Sequence, residues 1–142
     1  MYATGGAGEL YFMFGDDPNN VTMQYHSAIV GSPVLSPRWA LGWHHCRYGY
    51  NSTEELVENV ENYDKHSIPL DTQWVDIDYL HSYMNFVIEN TTFGELPDFV
   101  GRLHEEHRHF IPIVDAGFAK RTDYDTYTEG VEKGVFIRSA AD

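Results

Sequence analysis

Gln73-Trp74-Val75-Asp76-Ile77-Asp78-Tyr79 is the stretch on which the fold turns. Its body is aromatic and β-branched, and its two carboxylates fall where a strand should stop. Upstream lies a second run of the same kind, Trp39-Ala40-Leu41-Gly42-Trp43-His44-His45-Cys46-Arg47-Tyr48. Downstream comes a third, Phe110-Ile111-Pro112-Ile113-Val114-Asp115. Three buried-looking strands, each ending in polar or aromatic groups and separated by helical stretches, read as consecutive βα units. Such alternation predicts a parallel sheet with right-handed crossovers. In parallel α/β barrels, functional side chains gather at the carboxyl ends of the strands. Chemistry is therefore expected around Asp76, Asp78 and Asp115.

The segments between the strands carry helix signals. Ser52-Thr53-Glu54-Glu55 has the spacing of a capping box, and Leu56, Val60 and Tyr63 continue a helical stripe toward Pro69. Leu96-Pro97 opens another helix, with Leu96, Val100 and Leu103 on one side. The connection from His81 to Thr92 is too polar to be core. Before the first strand, Glu9 to Phe14 is expected to be a strand closed by Gly15. Asp17-Pro18 then starts a helix whose stripe is Val21, Tyr25, Ala28 and Ile29. After Thr122 come turn residues and then an apolar run, Gly134 to Ile137, that reads as a further strand. Three parallel strands do not close a barrel and would leave open edges, so the chain looks like a segment of something larger.

Composition narrows the function. The 142 residues are 42% hydrophobic and 15% aromatic, enough for one packed domain. A net charge of −13 argues against nucleic acid and anionic membranes as partners. No apolar run reaches transmembrane length, and residues 1–15 lack a signal-type core. Cys46 is the single cysteine, which rules out an internal disulfide. Three glycosylation sequons, at Asn20, Asn51 and Asn90, lean toward the secretory pathway: a lysosomal, vacuolar or extracellular setting.

Strand alternation would point Trp74, Asp76 and Asp78 one way and Val75 and Ile77 the other; Ile111, Ile113 and Asp115 would share a side. A carboxylate at a barrel mouth can accept hydrogen bonds from sugar hydroxyls, ligate a metal, act as acid or base, or simply tie down loop amides. Asp76-Ile77-Asp78 also matches the short DxD pattern by which some glycosyltransferases hold a divalent ion. His104-Glu105-Glu106-His107-Arg108-His109 has zinc-site letters, but its first two histidines are three apart where HExxH needs four, so it reads as a helix end and a solvated connection. His44 and His45, adjacent on a strand, would face opposite ways. No nucleophile elbow, P-loop or dinucleotide fingerprint occurs.

Read together, Gly42-Trp43-His44-His45-Cys46-Arg47-Tyr48-Gly49-Tyr50, Pro69 to Tyr79 and Ile113-Val114-Asp115 resemble glycoside hydrolase family 31, the α-glucosidase family. Gly130 to Ile137 continues the pattern, and Leu10 to Gly15 is similar to the family's junction upstream of its barrel. The resemblance implies an α/β fold, the first three βα units of a (β/α)8 barrel over 38–142, preceded over 1–37 by the end of the N-terminal β-sandwich with its connecting helix. It implies hydrolysis of terminal non-reducing α-linked glucose, with no cofactor and no metal. Asp76 would hydrogen-bond the glucose of subsite −1, and Tyr48, Ile77 and Ile113 would line the same subsite. The retaining mechanism needs two carboxylates about 5 Å apart; by resemblance both lie beyond Asp142, so no catalytic residue is expected here and the rest of the barrel would come from the same parent chain. The family's usual proline after the third-strand aspartate is replaced by Ala116. Two other readings stand beside this one: a metal-dependent glycosyltransferase using Asp76 and Asp78, and a non-catalytic carbohydrate-binding pseudoenzyme.

Overall fold

The computed structural model describes residues 5–137. The chain divides into two compact units, Met1–Ser36 and Pro37–Asp142. In the first, α1 (Pro18–Tyr25) begins where expected: the Asp17 carboxylate accepts from the Asn20 amide at 2.9 Å, and Pro18 takes the first turn, where its missing N–H costs nothing. One π-type turn, His26–Val30, continues it until Gly31, whose φ of +77° a side chain would resist. None of the α1 residues is buried. Glu9 to Phe14, expected to be a strand, forms none: among the described residues no segment pairs with it in a ladder, and a strand exists only through its ladder.

The second unit holds a parallel sheet in the order β1-β2-β3: β1 (His44–His45), β2 (Thr72–Val75) and β3 (His109–Pro112). The strands are shorter than the apolar runs that announced them. Trp39 sits in a single 3₁₀ turn, Arg38–Leu41, and β2 stops at Val75. Between strands run α2 (Thr53–Lys65), a short α3 (Asn90–Phe93) and α4 (Leu96–Glu105). Ser52 caps α2, accepting from the Glu55 amide. Leu56 and Val60 of α2 and Leu96, Phe99 and Leu103 of α4 pack on Val75, with Phe110 at the margin. Their apolar side chains recur at helical spacing on one face, which is why they reach one core.

Parallel register puts His45, Gln73 and Phe110 in one row and His44, Thr72 and His109 in the next. The first row faces the helices: Gln73 accepts from Asn59 of α2 at 2.7 Å, and Phe110 meets Phe99 of α4 edge-on. The second row faces away, where Trp39 stacks on His109 with ring centroids 4.0 Å apart. At the amino end, Gly42 is required by crowding: a Cβ there would fall 2.2 Å from the Asp71 carboxylate, which accepts from the Trp43 amide at 2.8 Å.

Two sequence expectations for the connections are overturned. The span from His81 to Thr92 is not wholly solvated. Met84 and Asn85 are buried, and Leu80 bridges Ile88 in antiparallel fashion. The tail forms α5 (Asp125–Glu132), and Gly134 to Ile137 is no strand.

Candidate functional site

Three exit segments meet at the carboxyl end of the sheet. The β1 exit, Cys46 to Tyr50, is turned by Gly49 at φ +94°. Its Gly49 amide donates to the Asp78 carboxylate at 2.8 Å, so Asp78, on the next exit, holds this loop and not its own. At the β2 exit, Asp76 begins a one-turn helix, Ile77–Tyr79, and its carboxylate accepts from the Ile77 amide at 2.8 Å. Asp76 is itself still extended, so alternation runs through it; the turn at Ile77–Tyr79 ends that alternation before Asp78, which corrects the expectation that Asp78 follows Trp74 and Asp76 to one face. The peptide geometry of a carboxylate capping its own following amide suits a tight bend, and apolar strand letters on either side masked it.

The β3 exit is gripped at several points. Ile113 donates its amide to the Val75 carbonyl at 3.0 Å, and its carbonyl accepts from the Tyr79 hydroxyl at 3.1 Å. Asp115 is exposed, and its expected sharing of a side with Ile111 and Ile113 lapses because β3 ends at Pro112. Its backbone, not its carboxylate, makes the structural bonds, through Asn85.

Of the residues singled out in the sequence, Asp76, Ile77, Tyr48 and Ile113 all stand at these exits. Asp76, Ile77 and Ile113 are half-buried, and Tyr48 is 63% exposed. The Tyr48 phenol is pushed above its ordinary value by hydrogen bonding to Tyr83, then by the charges of Asp78 and Asp76. Burial, and then Asp76, push the Cys46 thiol up as well. Two carboxylates, Asp76 and Asp78, therefore lie near the Tyr48 ring. Beside it, Tyr50, Asn51, Asp78, Leu80, Tyr83 and Phe93 line a cleft of 340 Å³. Tyr83 and Asn85 are the residues that sequence reasoning missed; positive φ at Ser82, Tyr83 and Phe86 aims them, a signal no residue letter carries. Among the described residues, no three His, Cys, Asp or Glu side chains gather as a metal would require, and the His104 to His109 stretch is the end of α4 followed by a turn at His107, φ +59°.

The parallel βα units define an α/β fold with acid-bearing strand exits, and comparison with known proteins gives the family. The model for the glycosyl hydrolases family 31 TIM-barrel domain matches residues 33–142, and the chain belongs to that family. It is 38% identical over 138 residues to the lysosomal alpha-glucosidase of Mus musculus, covering 95% of this chain and 14% of that protein. Over 146 residues it is 40% identical to glucoamylase 1 of Candida albicans, covering 96% and 15%. The DNJ-bound crystal structure of a glucosidase II alpha subunit superposes with a TM-score of 0.80 over 88% of this chain and 13% of that one; at 23% identity the likeness is one of fold. The chain thus spans about one seventh of the length of these curated relatives.

Proposed function

We propose that the chain is a segment of a retaining α-glycosidase that hydrolyses terminal, non-reducing α-linked glucose, and that it carries part of subsite −1 without the catalytic carboxylates. The segment would supply the end of the β-sandwich region over 1–37 and the first three βα units of the barrel over 38–142, the remainder coming from the same parent chain. The observation that carries the reading is the convergence of Tyr48, Asp76 and Ile113 at the ends of three consecutive parallel strands in a family 31 barrel segment. Asp76 keeps one carboxylate oxygen on the Ile77 amide, leaving lone pairs to accept the sugar's remote hydroxyls. Tyr48 offers its ring to an apolar sugar face, and Ile77 and Ile113 exclude water beside it. Relatives named as lysosomal alpha-glucosidases favour a secretory-pathway, lysosomal/vacuolar or extracellular setting for the parent.

Hydrogen bonds to a charged acceptor are worth about 1.5–3 kcal/mol each. In the parent enzyme, Asp76→Asn keeps the shape and loses the charge, so kcat/KM on a terminal α-glucoside should fall by about tenfold to a hundredfold with the melting temperature unchanged. Full activity in that variant would refute the assignment.

A further inference from the structure

We infer that Asn85 is a positioning residue for the sugar site, the brace by which the β2 exit holds the β3 exit in place. Asn85 is 1% exposed, and every polar atom of its side chain is used on one target. Its amide nitrogen donates to the Asp115 carbonyl at 2.7 Å and to the Gly117 carbonyl at 2.9 Å, while its amide oxygen accepts from the Asp115 N–H at 3.0 Å. The orientation of the carboxamide follows from these partners, since two carbonyls can face only the nitrogen. Phe86, at φ +67°, reverses the chain directly after Asn85, a costly conformation for an aromatic residue that the surroundings must impose. From the other side, the buried Tyr124 hydroxyl donates to the Asn85 carbonyl at 2.7 Å.

The brace acts two residues from Ile113. Ile113 is already fixed at its own N–H and carbonyl by Val75 and Tyr79, so Asn85 supplies the outer anchor of the Ile113–Gly117 segment. With both anchors on the segment from Val75 to Asn85, the acid expected to hold the sugar and the wall expected to face it are tied to the same stretch of chain. Losing the outer anchor frees Val114 to Gly117 and leaves Ile113 held only by its own two bonds, with a loose segment pulling on it. Misplacements of about 1 Å in a positioning group can cost up to a hundredfold in rate. The inference rests on the reading that Ile113 lines the sugar site.

Asn85→Asp in the parent enzyme tests it. An ionised carboxylate would set negative charge against two carbonyls, whereas the protonated acid can donate to one of them and accept from the Asp115 amide. Measured per folded molecule, kcat/KM of N85D relative to the parent should therefore stay near one at acid pH and fall about tenfold as pH rises through neutrality. A structural filler would lower the melting temperature and leave this ratio flat at every pH, which overturns the inference. If N85D does not fold at neutral pH, Asn85→Ser, too short to keep the three bonds, should lower kcat/KM per folded molecule at every pH, and an unchanged kcat/KM overturns the inference. A cycle with Ile113→Ala separates the two readings. Non-additive losses support the brace. Additive losses with Ile113→Ala impaired overturn the brace alone. A silent Ile113→Ala beside an impaired N85D overturns the placement of Ile113 in the site.

Discussion

At His45 both ring nitrogens are engaged: Nδ1 meets the Tyr63 hydroxyl at 2.9 Å and Nε2 the Tyr50 hydroxyl at 2.7 Å. Burial, and then the Arg47 guanidinium, hold its pKa below the ordinary histidine value. A folded-state pKa below that of the unfolded chain means stability that is complete above the ordinary value and is lost as pH falls through the lowered one. In the parent enzyme, melting temperature should accordingly drop on acidification from pH 8 to 5, and His45→Gln, which keeps hydrogen bonding without titrating, should flatten that slope. An unchanged slope would show that His45 does not carry the dependence. The neighbouring His44 turns to the other face, where its Nδ1 accepts from the Trp74 indole at 2.9 Å and its Nε2 donates to the Trp39 carbonyl at 3.0 Å. Those two partners select one neutral tautomer. That the two histidines part ways was legible in strand alternation; which partners each finds was not, because Tyr63 and Trp39 arrive through folding.

At the scale of elements, α2 illustrates a signal read nearly whole. Ser52 accepts from the Glu55 amide at 3.3 Å, as the capping-box spacing foretold, but the return arm reaches one residue further back, with Glu55 accepting from the Asn51 amide at 3.0 Å. That bond and the Asn51 side chain hold the Glu55 carboxyl below the usual range. In the parent enzyme, Ser52→Ala should cost about 1 kcal/mol of stability, read as a lowered denaturation midpoint at constant slope; no change would mean that Glu55 and Asn51 cap the helix unaided. The starts of α1 and α4 and the three strands were likewise legible, since caps, prolines and apolar period are local. The bend at Asp76 was not, because Ile77 and Tyr79 are good strand residues overridden by a carboxylate cap. Nor was α5, whose Thr- and Gly-containing sequence has weak helix propensity. Tyr124, Tyr127 and Val131 do recur at helical spacing there, a signal hidden among turn residues. The buried role of Asn85 depends on a partner loop thirty residues away, and no local pattern reports that.

For the chain as a whole, the balance lies between uncovered apolar surface and net charge. In the unit Pro37–Asp142, helices cover one face of the sheet, and among the described residues β1 and β3 each have a single neighbour and leave an edge unpaired. Parallel sheets are ordinarily covered on both faces, because both are apolar. Here Leu41 is 76% exposed, Trp43 57% and Val114 48%, and in the other unit Leu10 and Phe14 exceed 80%. Against association stands a charge of −13, whose self-repulsion is screened by salt and vanishes near the isoelectric point of 4.8. Edges and apolar patches act at contact, whereas repulsion between chains weakens beyond about 10 Å at 0.1 M salt. Contact should win at physiological ionic strength. The 142-residue chain on its own should therefore bind a hydrophobic dye, melt without a sharp transition, and scatter light more strongly as salt is added or as pH is lowered toward 4.8. A cooperative melt from a monomer, indifferent to salt, would show that these residues close their own core and that the exposed strand edges carry no pairing hazard.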